Sequence, residues 1–319
     1  MMIVRMRTGV VRWGLRAYPS NLNRLKPAEG ASHGPSRSVL AWSYLVRPTV
    51  LTIAGSDCSG GAGIQADLKT VEANLGYAAT VITAITAQNT RAVHSSFPLP
   101  SARVAEQLET VFADLDVVAV KTGMLADAEI VGVVARQLRS HPVRHYVCDP
   151  VMVSSTGFRL LDERGSDRLL RELMPLASLL TPNAHEAEKM SGVPVRNPAD
   201  AQQAGKRLLE LGARAVLVTG GHLVDGPATD ILVTADGCAR FPGQFFDVPH
   251  THGSGCTLSS AIATLLARGL DLHGAVETAK RFVGEAIRCG LPLGSGNGPT
   301  DPFFFLHARR VAEFADDPP

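Results

Sequence analysis

Short runs of β-branched and aliphatic residues alternate with amphipathic stretches from residue 49 onward, and this alternation constrains the fold more than any other feature. The short runs are bounded by glycine, proline or polar residues and are typical of strands buried on both faces. They are VLTIAG at 50–55, AATVITAITA at 78–87, VVAVKTG at 117–123, RHYVCDP at 144–150, ASLLTPN at 177–183 and ARAVLVTG at 213–220. The intervening stretches at 127–141 and 199–213 have the apolar spacing of helices. The pattern predicts an α/β fold with three layers, a mostly parallel central sheet with helices on both faces.

A later segment has the signature of a β-hairpin. The stretch ATDILVTADGCARFPGQ at 228–244 carries Asp236-Gly237 between two alternating segments, and this dipeptide is typical of hairpin turns. Two helix-like stretches follow between residues 256 and 290. We therefore expect a small antiparallel unit beside the parallel strands.

The charge balance gives no reason to expect nucleic acid as a partner. The 319 residues hold 31 basic and 30 acidic side chains, but residues 1–48 are strongly basic, so the remainder is acidic. The five cysteines include no C-x-x-C pair, which is typical of a reducing compartment such as the cytoplasm. No apolar run approaches the ~20 residues that span a bilayer, so we expect no membrane association.

The stretch THGSGCT at 251–257 leads directly into an apolar, helix-like run. Gly253, Ser254 and Gly255 at a helix start would leave backbone N–H groups free at the positive end of the helix dipole, which suits a phosphate or a developing oxyanion. Cys256 lies where that field is strongest, and a thiol there can be acidified into a base or a nucleophile. A tight strand-to-helix turn with a small buried cysteine is the plainer alternative.

A second glycine-rich stretch, at 55–69, follows the first strand candidate. It is neither a nucleotide P-loop nor a dinucleotide turn, because it has no Gly-Lys-Ser/Thr ending and no G-x-G-x-x-G spacing. Its glycines would let a ligand lie against the backbone. Asp67, one helical turn beyond Gly63, offers a carboxylate to a hydroxyl or amino group. A solvated helix carboxylate is the alternative for Asp67.

Polar residues follow the strand candidates at the points where these end. Ligands of open parallel sheets bind beyond the carboxyl ends of the strands, so we expect these residues to share one edge of the sheet. They are Gln88, Gly123 with Met124, Asp149, Asn183 with Glu186, and Gly220 with Gly221. Plainer alternatives exist, because Gln88 could be a surface residue, Met124 a core residue, and Asn183 with Glu186 a helix-capping pair.

Several motifs, taken in order, resemble one enzyme family. They are AGSDCSGGAGIQADLKT, TAITAQNT, KTGML, DPVMV, LLTPNAHEA, VTGGH and THGSGCTLSSA, and they extend over about residues 49–300. The set resembles the bacterial hydroxymethylpyrimidine and phosphomethylpyrimidine kinases of thiamin biosynthesis, which belong to the ribokinase-like superfamily. The resemblance implies a ribokinase-like three-layer fold with a small β lid, formed by one kinase domain at 49–306.

The resemblance also implies roles for individual residues. The pyrimidine would be surrounded by Asp67, Gln88, Met124, the Val151 backbone, Gly55 and Ala62. Asn183, Thr219 and Gly221 would contact the nucleotide, and Asp149 with Glu186 would serve Mg²⁺, which prefers oxygen ligands. Thr219 stands where some relatives have lysine, and the ending at 298–302 departs from the family pattern.

The implied reaction is phosphorylation of 4-amino-5-hydroxymethyl-2-methylpyrimidine by ATP, first to the monophosphate and then to the diphosphate. The N–H groups of residues 253–256 would hold the transferring charge, and a Cys256 thiolate would assist the first transfer. The expected cofactors are ATP and Mg²⁺, and the expected assembly is a homodimer. A pyridoxal or pyridoxine kinase of the same superfamily and a catalytically silent pyrimidine-sensing protein are the alternatives. Retention of Asp149, Asn183, Glu186 and Cys256 argues against the sensor.

Residues 1–48 stand outside the resemblance. They are rich in arginine and serine and show no clear apolar signal core, so we expect no secretory peptide. Residues 46–51 resemble the usual opening of the family if translation begins at Val46, which predicts a misassigned start; an organellar transit peptide is the alternative. We expect this extension to be poorly ordered and residues 307–319 to form a C-terminal tail.

Overall fold

A computed structural model of the protein describes residues 47–154, 156–223 and 228–306. Its strands are β1 (Thr49–Asp57), β2 (Tyr77–Gln88), β3 (Val93–Pro98), β4 (Val117–Thr122), β5 (His145–Cys148), β6 (Leu179–Leu180), β7 (Ala215–Val218), β8 (Asp230–Thr234) and β9 (Gly237–Phe241). Its helices are α1 (Gly63–Ala73), α2 (Ser101–Asp114), α3 (Ala128–Ser140), α4 (Glu163–Arg168), α5 (Ala184–Ser191), α6 (Pro198–Glu210), α7 (Ser254–Ala267) and α8 (Leu272–Arg288). The expectations for the N-terminal extension up to residue 46 and for the tail at 307–319 lie outside the described residues.

The described strands form one sheet of nine, in the order β3-β2-β1-β4-β5-β6-β7-β8-β9. Along the sheet, the neighbours in the run β2-β1-β4-β5-β6-β7 are parallel. The antiparallel strands lie at the two edges, where β3 pairs with β2 and the β8–β9 hairpin pairs with β7. The predicted α/β class, the mostly parallel sheet and the hairpin at Asp236-Gly237 are therefore confirmed. Strand β3 was not predicted, because most of its side chains are exposed and it lacks a buried-strand pattern.

Helices cover both faces of the sheet. Val50 and Leu51 are consecutive on β1 and both fully buried, yet they belong to different core clusters. Consecutive strand side chains point to opposite faces, so both faces of the sheet are packed. Helices α2, α3, α5 and α6 contribute to the cluster on one face, and α7 and α8 to the cluster on the other.

The helix starts follow the capping rules where the sequence offers a capping side chain. Asp127 and Asp271 each accept a backbone N–H in the first turn of α3 and α8. Helix α7 is different, because Gly253 is its N-cap and contributes no side-chain cap. None of the helices within the described ranges is long and apolar enough to cross a membrane.

Candidate active site

The order of the strands opens a crevice beside β1. The chain passes from β1 to β2 on one side and later places β4 on the other side. Where strand order reverses in this way, the connections diverge beyond the carboxyl ends of the two central strands. Gly55 near the end of β1 meets Met124 just after β4, and a Cβ at Gly55 would lie 2.8 Å from Met124 Sδ. The topology thus places the predicted edge residues at a crevice.

The two glycine-rich stretches touch each other at this crevice. Gly253 has a φ of +79°, and a Cβ there would lie 1.9 Å from the carbonyl oxygen of Gly61. Gly63 has a φ of +54°, and its Cβ would lie 2.2 Å from the oxygen of Gly55. Any side chain at either position would push the loops apart, so these contacts require glycine.

The start of α7, where we predicted an anion site, has no side-chain cap. Gly253 is the N-cap in a left-handed conformation, and no side chain caps the helix. The Ser254 N–H donates to the Thr251 carbonyl at 3.2 Å and the Thr257 N–H donates to Gly253. The N–H groups of Gly255 and Cys256 therefore remain for a ligand, at the end of the helix where the dipole is positive. Gly255 faces open space, because an added Cβ there would meet no atom within 4 Å.

Asp57 holds the first glycine-rich loop in place. Its Oδ1 accepts hydrogen bonds from the N–H and hydroxyl of Ser59, and its Oδ2 accepts from the N–H groups of Gly61 and Ala62. His252 Nε2 lies 3.0 Å from the same Oδ2. Burial raises the pKa of Asp57, but the hydrogen bonds from His252 and Ser59 outweigh it and lower the pKa to about 2. The carboxylate joins the two glycine-rich loops.

Gln88 lies at the end of β2 next to these loops. One end of its side-chain amide is 3.1 Å from His252 Nε2, and the other end is 3.3 Å from the Thr86 hydroxyl. Met124 is almost completely buried, and Val151 is half-buried and donates its N–H to the Asp149 carbonyl. Gln88, Met124, Gly55 and Ala62 thus line one crevice.

The predicted role of Asp67 needs a correction. We expected a carboxylate available to a ligand, but Asp67 is fully buried in an ion pair with the fully buried Lys121, at 2.8 Å. The hydroxyls of Thr52 and Ser260 also donate to its oxygens. Its hydrogen-bonding capacity is already used, so Asp67 is a structural counter-ion beneath the crevice.

The predicted Cys256 thiolate also needs a correction. Burial raises the pKa of Cys256 to about 12, and the carboxylates of Asp67 and Asp149 add to this increase. Lys121 and the N–H of Gly63 act in the opposite direction but do not prevail. The helix N-terminus alone does not acidify a thiol that lies between two carboxylates, so Cys256 is a neutral thiol in the ligand-free protein.

Asp149 and Glu186 form a second buried acidic cluster. It lies beside the first, which consists of Asp67 with its counter-ion Lys121. Ser259 donates to Asp149 Oδ2 at 2.9 Å, and Glu186 accepts backbone N–H groups from Asn183 and Met152. Burial and the neighbouring charge of Asp149 raise the pKa of Glu186 to about 8. Burial also raises the pKa of Asp149, although Lys121 partly opposes it. Among the described residues, no cation forms an ion pair with either carboxylate.

The predicted nucleotide-side residues lie along the next strand ends. Asn183 caps α5 in a complete capping box with Glu186, so the capping alternative is correct as a description of the geometry. Thr219 forms a backbone bridge with Asn183. Gly221 is exposed, with open space where a Cβ would lie. Among the described residues, no group of three or more potential ligands is arranged to hold a metal ion.

Comparison with known proteins decides the family. A family model described as phosphomethylpyrimidine kinase matches residues 57–301. The chain belongs to the phosphomethylpyrimidine kinase family. The matched region contains Asp57, the crevice residues other than Gly55, and the carboxylates of both acidic clusters.

Two curated relatives show the extent of the similarity. The thiamine biosynthesis bifunctional protein ThiED of Geobacter sulfurreducens is 48% identical over 80% of this chain, but the aligned region is only 52% of that longer protein. The hydroxymethylpyrimidine/phosphomethylpyrimidine kinase of Haemophilus influenzae is 43% identical over 79% of this chain and 95% of its own length. The chain therefore spans about half of the first relative and nearly all of the second.

Two solved structures share the fold. A crystal structure of phosphomethylpyrimidine kinase from Clostridium difficile is 43% identical, with a TM-score of 0.68 over 76% of this chain and all of that one. A Bacillus subtilis pyridoxal kinase in complex with ADP is 35% identical, with a TM-score of 0.76 over 82% of this chain and 99% of its own. The ribokinase-like architecture expected from the motifs is confirmed.

Several residues of this phosphomethylpyrimidine kinase family member escaped prediction. Lys121 and Asp57 lie within motifs that we singled out, but nothing in the sequence says that Lys121 is buried against Asp67. Ser259 and Ser260 are consecutive on α7 and each donates to a different buried carboxylate. A polar pair in an otherwise apolar helix was the available signal, because buried hydroxyls need hydrogen-bond partners.

Proposed function

We propose that the protein transfers the γ-phosphoryl group of ATP to 4-amino-5-hydroxymethyl-2-methylpyrimidine and then to the resulting monophosphate. One observation carries this proposal: the Gln88 amide lies 3.1 Å from His252, which is two residues before the start of α7. A ring held by Gln88 would place a short hydroxymethyl arm beside the free N–H groups. The family membership and the names of the relatives support the same reaction.

The acceptor side consists of the crevice residues. The amide of Gln88 can accept from an amino group and donate to a ring nitrogen, as the edge of an aminopyrimidine requires. Met124 and Gly55 provide a flat wall for the ring, with Ala62 and the Val151 carbonyl at its margins. Asp67 contributes from below by fixing Lys121 and α7, without direct contact.

The donor side consists of the second acidic cluster and the strand ends beyond it. Burial raises the pKa of both carboxylates, and the charge of Asp149 raises the pKa of Glu186 further, so a divalent cation would relieve the unfavourable charge and the pair suits Mg²⁺ directly or through water. Magnesium would neutralise charge on the nucleotide phosphates. Asn183, Thr219 and the exposed backbone of Gly221 suit contacts to the nucleotide. The ADP complex of the related pyridoxal kinase supports a nucleotide ligand.

The chain's own groups would act mainly by position and charge. The N–H groups of residues 253–256 would hold the oxygens of the transferring group, in place before the reaction. Since the Cys256 thiol is neutral, it can donate a hydrogen bond but does not begin as a base. The alcohol proton would leave late, since phosphoryl transfer passes through a loose transition state.

We also propose a homodimer located in the cytoplasm. Ile85 and Phe97 are a cross-strand pair on β2 and β3, and both are more than half exposed. An exposed apolar pair at a sheet edge suits contact with a second copy. The described cysteines are all free thiols, which supports a reducing compartment.

An assay with two acceptors tests the proposed activity. The protein is incubated with ATP and Mg²⁺ and either the pyrimidine or pyridoxal, and the products are identified by mass. We expect both the monophosphate and the diphosphate of the pyrimidine. The similarity to the pyridoxal kinase structure makes pyridoxal the second candidate acceptor. Formation of pyridoxal phosphate alone would transfer the assignment to that activity.

A substitution at Gln88 then tests the site. Losing hydrogen bonds in a desolvated site costs about 1–3 kcal/mol, so Gln88→Ala should lower kcat/KM for the pyrimidine by more than tenfold and leave the KM for ATP unchanged. Gln203→Ala, which removes an exposed glutamine from α6, is the matched control and should change neither constant. An equal loss for both substrates would place Gln88 outside the pyrimidine site.

A further inference from the structure

His252 connects Asp57 to the amide of Gln88 through a single ring nitrogen. Nε2 lies 3.0 Å from Asp57 Oδ2 and 3.1 Å from the end of the Gln88 amide that is assigned as nitrogen. The ring is buried and packs on Gly61, where a Cβ would lie 2.4 Å from His252 Cδ2. Since both partners face the same nitrogen, the presence or absence of its proton determines both hydrogen bonds.

Asp57 determines where that proton lies. Its two oxygens already receive the N–H and hydroxyl of Ser59 and the N–H groups of Gly61 and Ala62, so the carboxylate is ionised and acts only as an acceptor. His252 Nε2 must therefore carry a proton directed at Asp57. A protonated ring nitrogen has no lone pair, so it cannot accept a hydrogen bond from the NH₂ group of Gln88.

The Gln88 amide consequently has one favourable orientation. A half-turn of the amide exchanges its oxygen and nitrogen, which have nearly the same shape. With the oxygen toward His252, the NH₂ group faces the Thr86 hydroxyl, which donates its own proton to the Ser56 carbonyl at 2.9 Å and has lone pairs free. In this orientation the Nε2 proton is shared between Asp57 Oδ2 and the Gln88 oxygen, whereas in the opposite orientation the NH₂ group faces an N–H, so two donors meet with no acceptor between them.

We propose that His252, held by Asp57, is a positioning residue that fixes the orientation of the Gln88 amide and so selects the acceptor by the order of its donor and acceptor groups. This inference rests on the proposed function. Each end of the fixed amide keeps one free hydrogen-bonding position. A ring anchored by its hydroxymethyl arm can then match a 4-amino group beside a ring nitrogen. The reversed order of a 4-oxo pyrimidine is mismatched unless the amide turns over.

The test compares two acceptors in variants of the two residues that fix the amide. We would measure kcat/KM for the 4-amino pyrimidine and for its 4-oxo counterpart in the wild type, His252→Asn and Asp57→Asn. We expect the wild type to prefer the 4-amino compound at least a hundredfold, and the preference to fall at least tenfold in both variants. The exposed His273→Asn variant is the matched control and should keep the wild-type ratio. Equal losses for the two acceptors, with an unchanged ratio, would overturn the proposal and leave His252 a structural residue.

A second measurement needs neither activity nor a variant. Nitrogen-15 NMR of the histidine-labelled wild-type protein should show that Nε2 of His252 carries a proton, and a bare Nε2 would overturn the proposal. If the wild type phosphorylates neither pyrimidine while Nε2 is protonated, the proposed function fails but the fixed orientation of Gln88 stands.

Discussion

Two buried acidic clusters lie side by side beneath the crevice, and they differ in how their charge is balanced. Asp67 is neutralised by Lys121 and receives hydroxyl groups from Thr52 and Ser260. Asp149 and Glu186 have hydrogen bonds but form no ion pair within the part of the chain that the structure describes, and burial raises the pKa of each. Consecutive serines of α7 contact the two clusters, so the same helix supports both.

The difference separates structure from ligand binding. A buried ion pair whose lone pairs are all satisfied is complete within the protein, and removing one partner leaves an unpaired buried charge. Two adjacent buried carboxylates without a cation are incomplete, because bringing them together in a desolvated place opposes their ionisation. We therefore propose that the first cluster supports the site and that the second binds a cation.

Removing Lys121 should have the largest effect. Lys121→Met leaves Asp67 buried without a counter-ion, and breaking one side of a buried pair costs about 3–5 kcal/mol. Chemical denaturation should show a loss of unfolding free energy of this size. Lys69→Met, which removes a partly exposed lysine that donates to the Gly60 carbonyl, is the control and should lose far less.

A double variant isolates the charge from the packing. Lys121→Met combined with Asp67→Leu removes both charges, and apolar replacements of buried ion pairs are often close to neutral in stability. We expect the double variant to recover most of the lost stability. If it is as unstable as Lys121→Met alone, the lysine acts through packing, and the contrast between the clusters fails.

Replacing Glu186 should raise the stability of the protein, whereas replacing Lys121 should lower it. Its pKa is raised from 4.5 to about 8 in the folded protein. Between pH 4.5 and pH 8 the folded state therefore keeps a proton on Glu186 that the unfolded state has released. Stability of the metal-free wild type should then fall as the pH rises from about 4.5 to about 8. Glu186→Gln cannot lose a proton, so its Tm should exceed that of the wild type by several degrees at pH 8 and by less at pH 5.

The Tm measurements can be repeated with added Mg²⁺. Adding Mg²⁺ at pH 8 should raise the Tm of the wild type, because binding to the folded state alone is stabilising, and should affect Glu186→Gln little. Glu188→Gln, on the exposed side of the same helix, should follow the wild type in both respects. Parallel curves of Tm against pH for the wild type and Glu186→Gln would show that this cluster carries no excess charge.

The fold and the location of the site could be predicted because both depend on local patterns. The alternation of strand and helix signals determined the parallel order, and the polar residues after the strand candidates lie at the crevice. Asp236-Gly237 gave the hairpin because its turn chemistry is local. Strand β3 was missed because its exposed side chains leave only pairing with β2 to define it.

The charge states could not be predicted because they depend on contacts between distant parts of the chain. Asp67 and Lys121 are 54 residues apart in sequence, and only folding shows that one neutralises the other. Cys256 has the local setting of an acidic thiol. Its pKa is raised instead, because burial and carboxylates from elsewhere in the chain outweigh the helix N-terminus.

Asp57 represents a third way of stabilising a buried carboxylate, mainly by backbone N–H donors and His252. Its pKa is lowered from 3.8 to about 2, so the stability it contributes is present above pH 4 and is lost as the pH falls from about 4 to about 2. A shift of this size corresponds to about 2 kcal/mol. Asp57→Asn should therefore be less stable than the wild type at pH 6, and the difference should shrink by that amount at pH 2. A constant difference across this range would contradict the assignment.

The smallest expected effect concerns Cys256, which lies between the two clusters. Its neutral thiol cannot take the proton of an attacking alcohol at pH 7, and a phosphate monoester, with a second pKa of about 6, needs no base. The N–H groups of residues 253–256 remain in place without the sulfur. We therefore expect Cys256→Ala to slow both transfers by similar factors, each less than about tenfold, which corresponds to less than about 1.4 kcal/mol. Single-turnover rates measured separately from the alcohol and from the monophosphate decide the point. A much greater slowing of the alcohol step would contradict this prediction. It would mean that the bound substrates and cation neutralise Asp149 and leave the charge of Lys121 free to stabilise a thiolate. The charge balance between the two clusters would then change on binding.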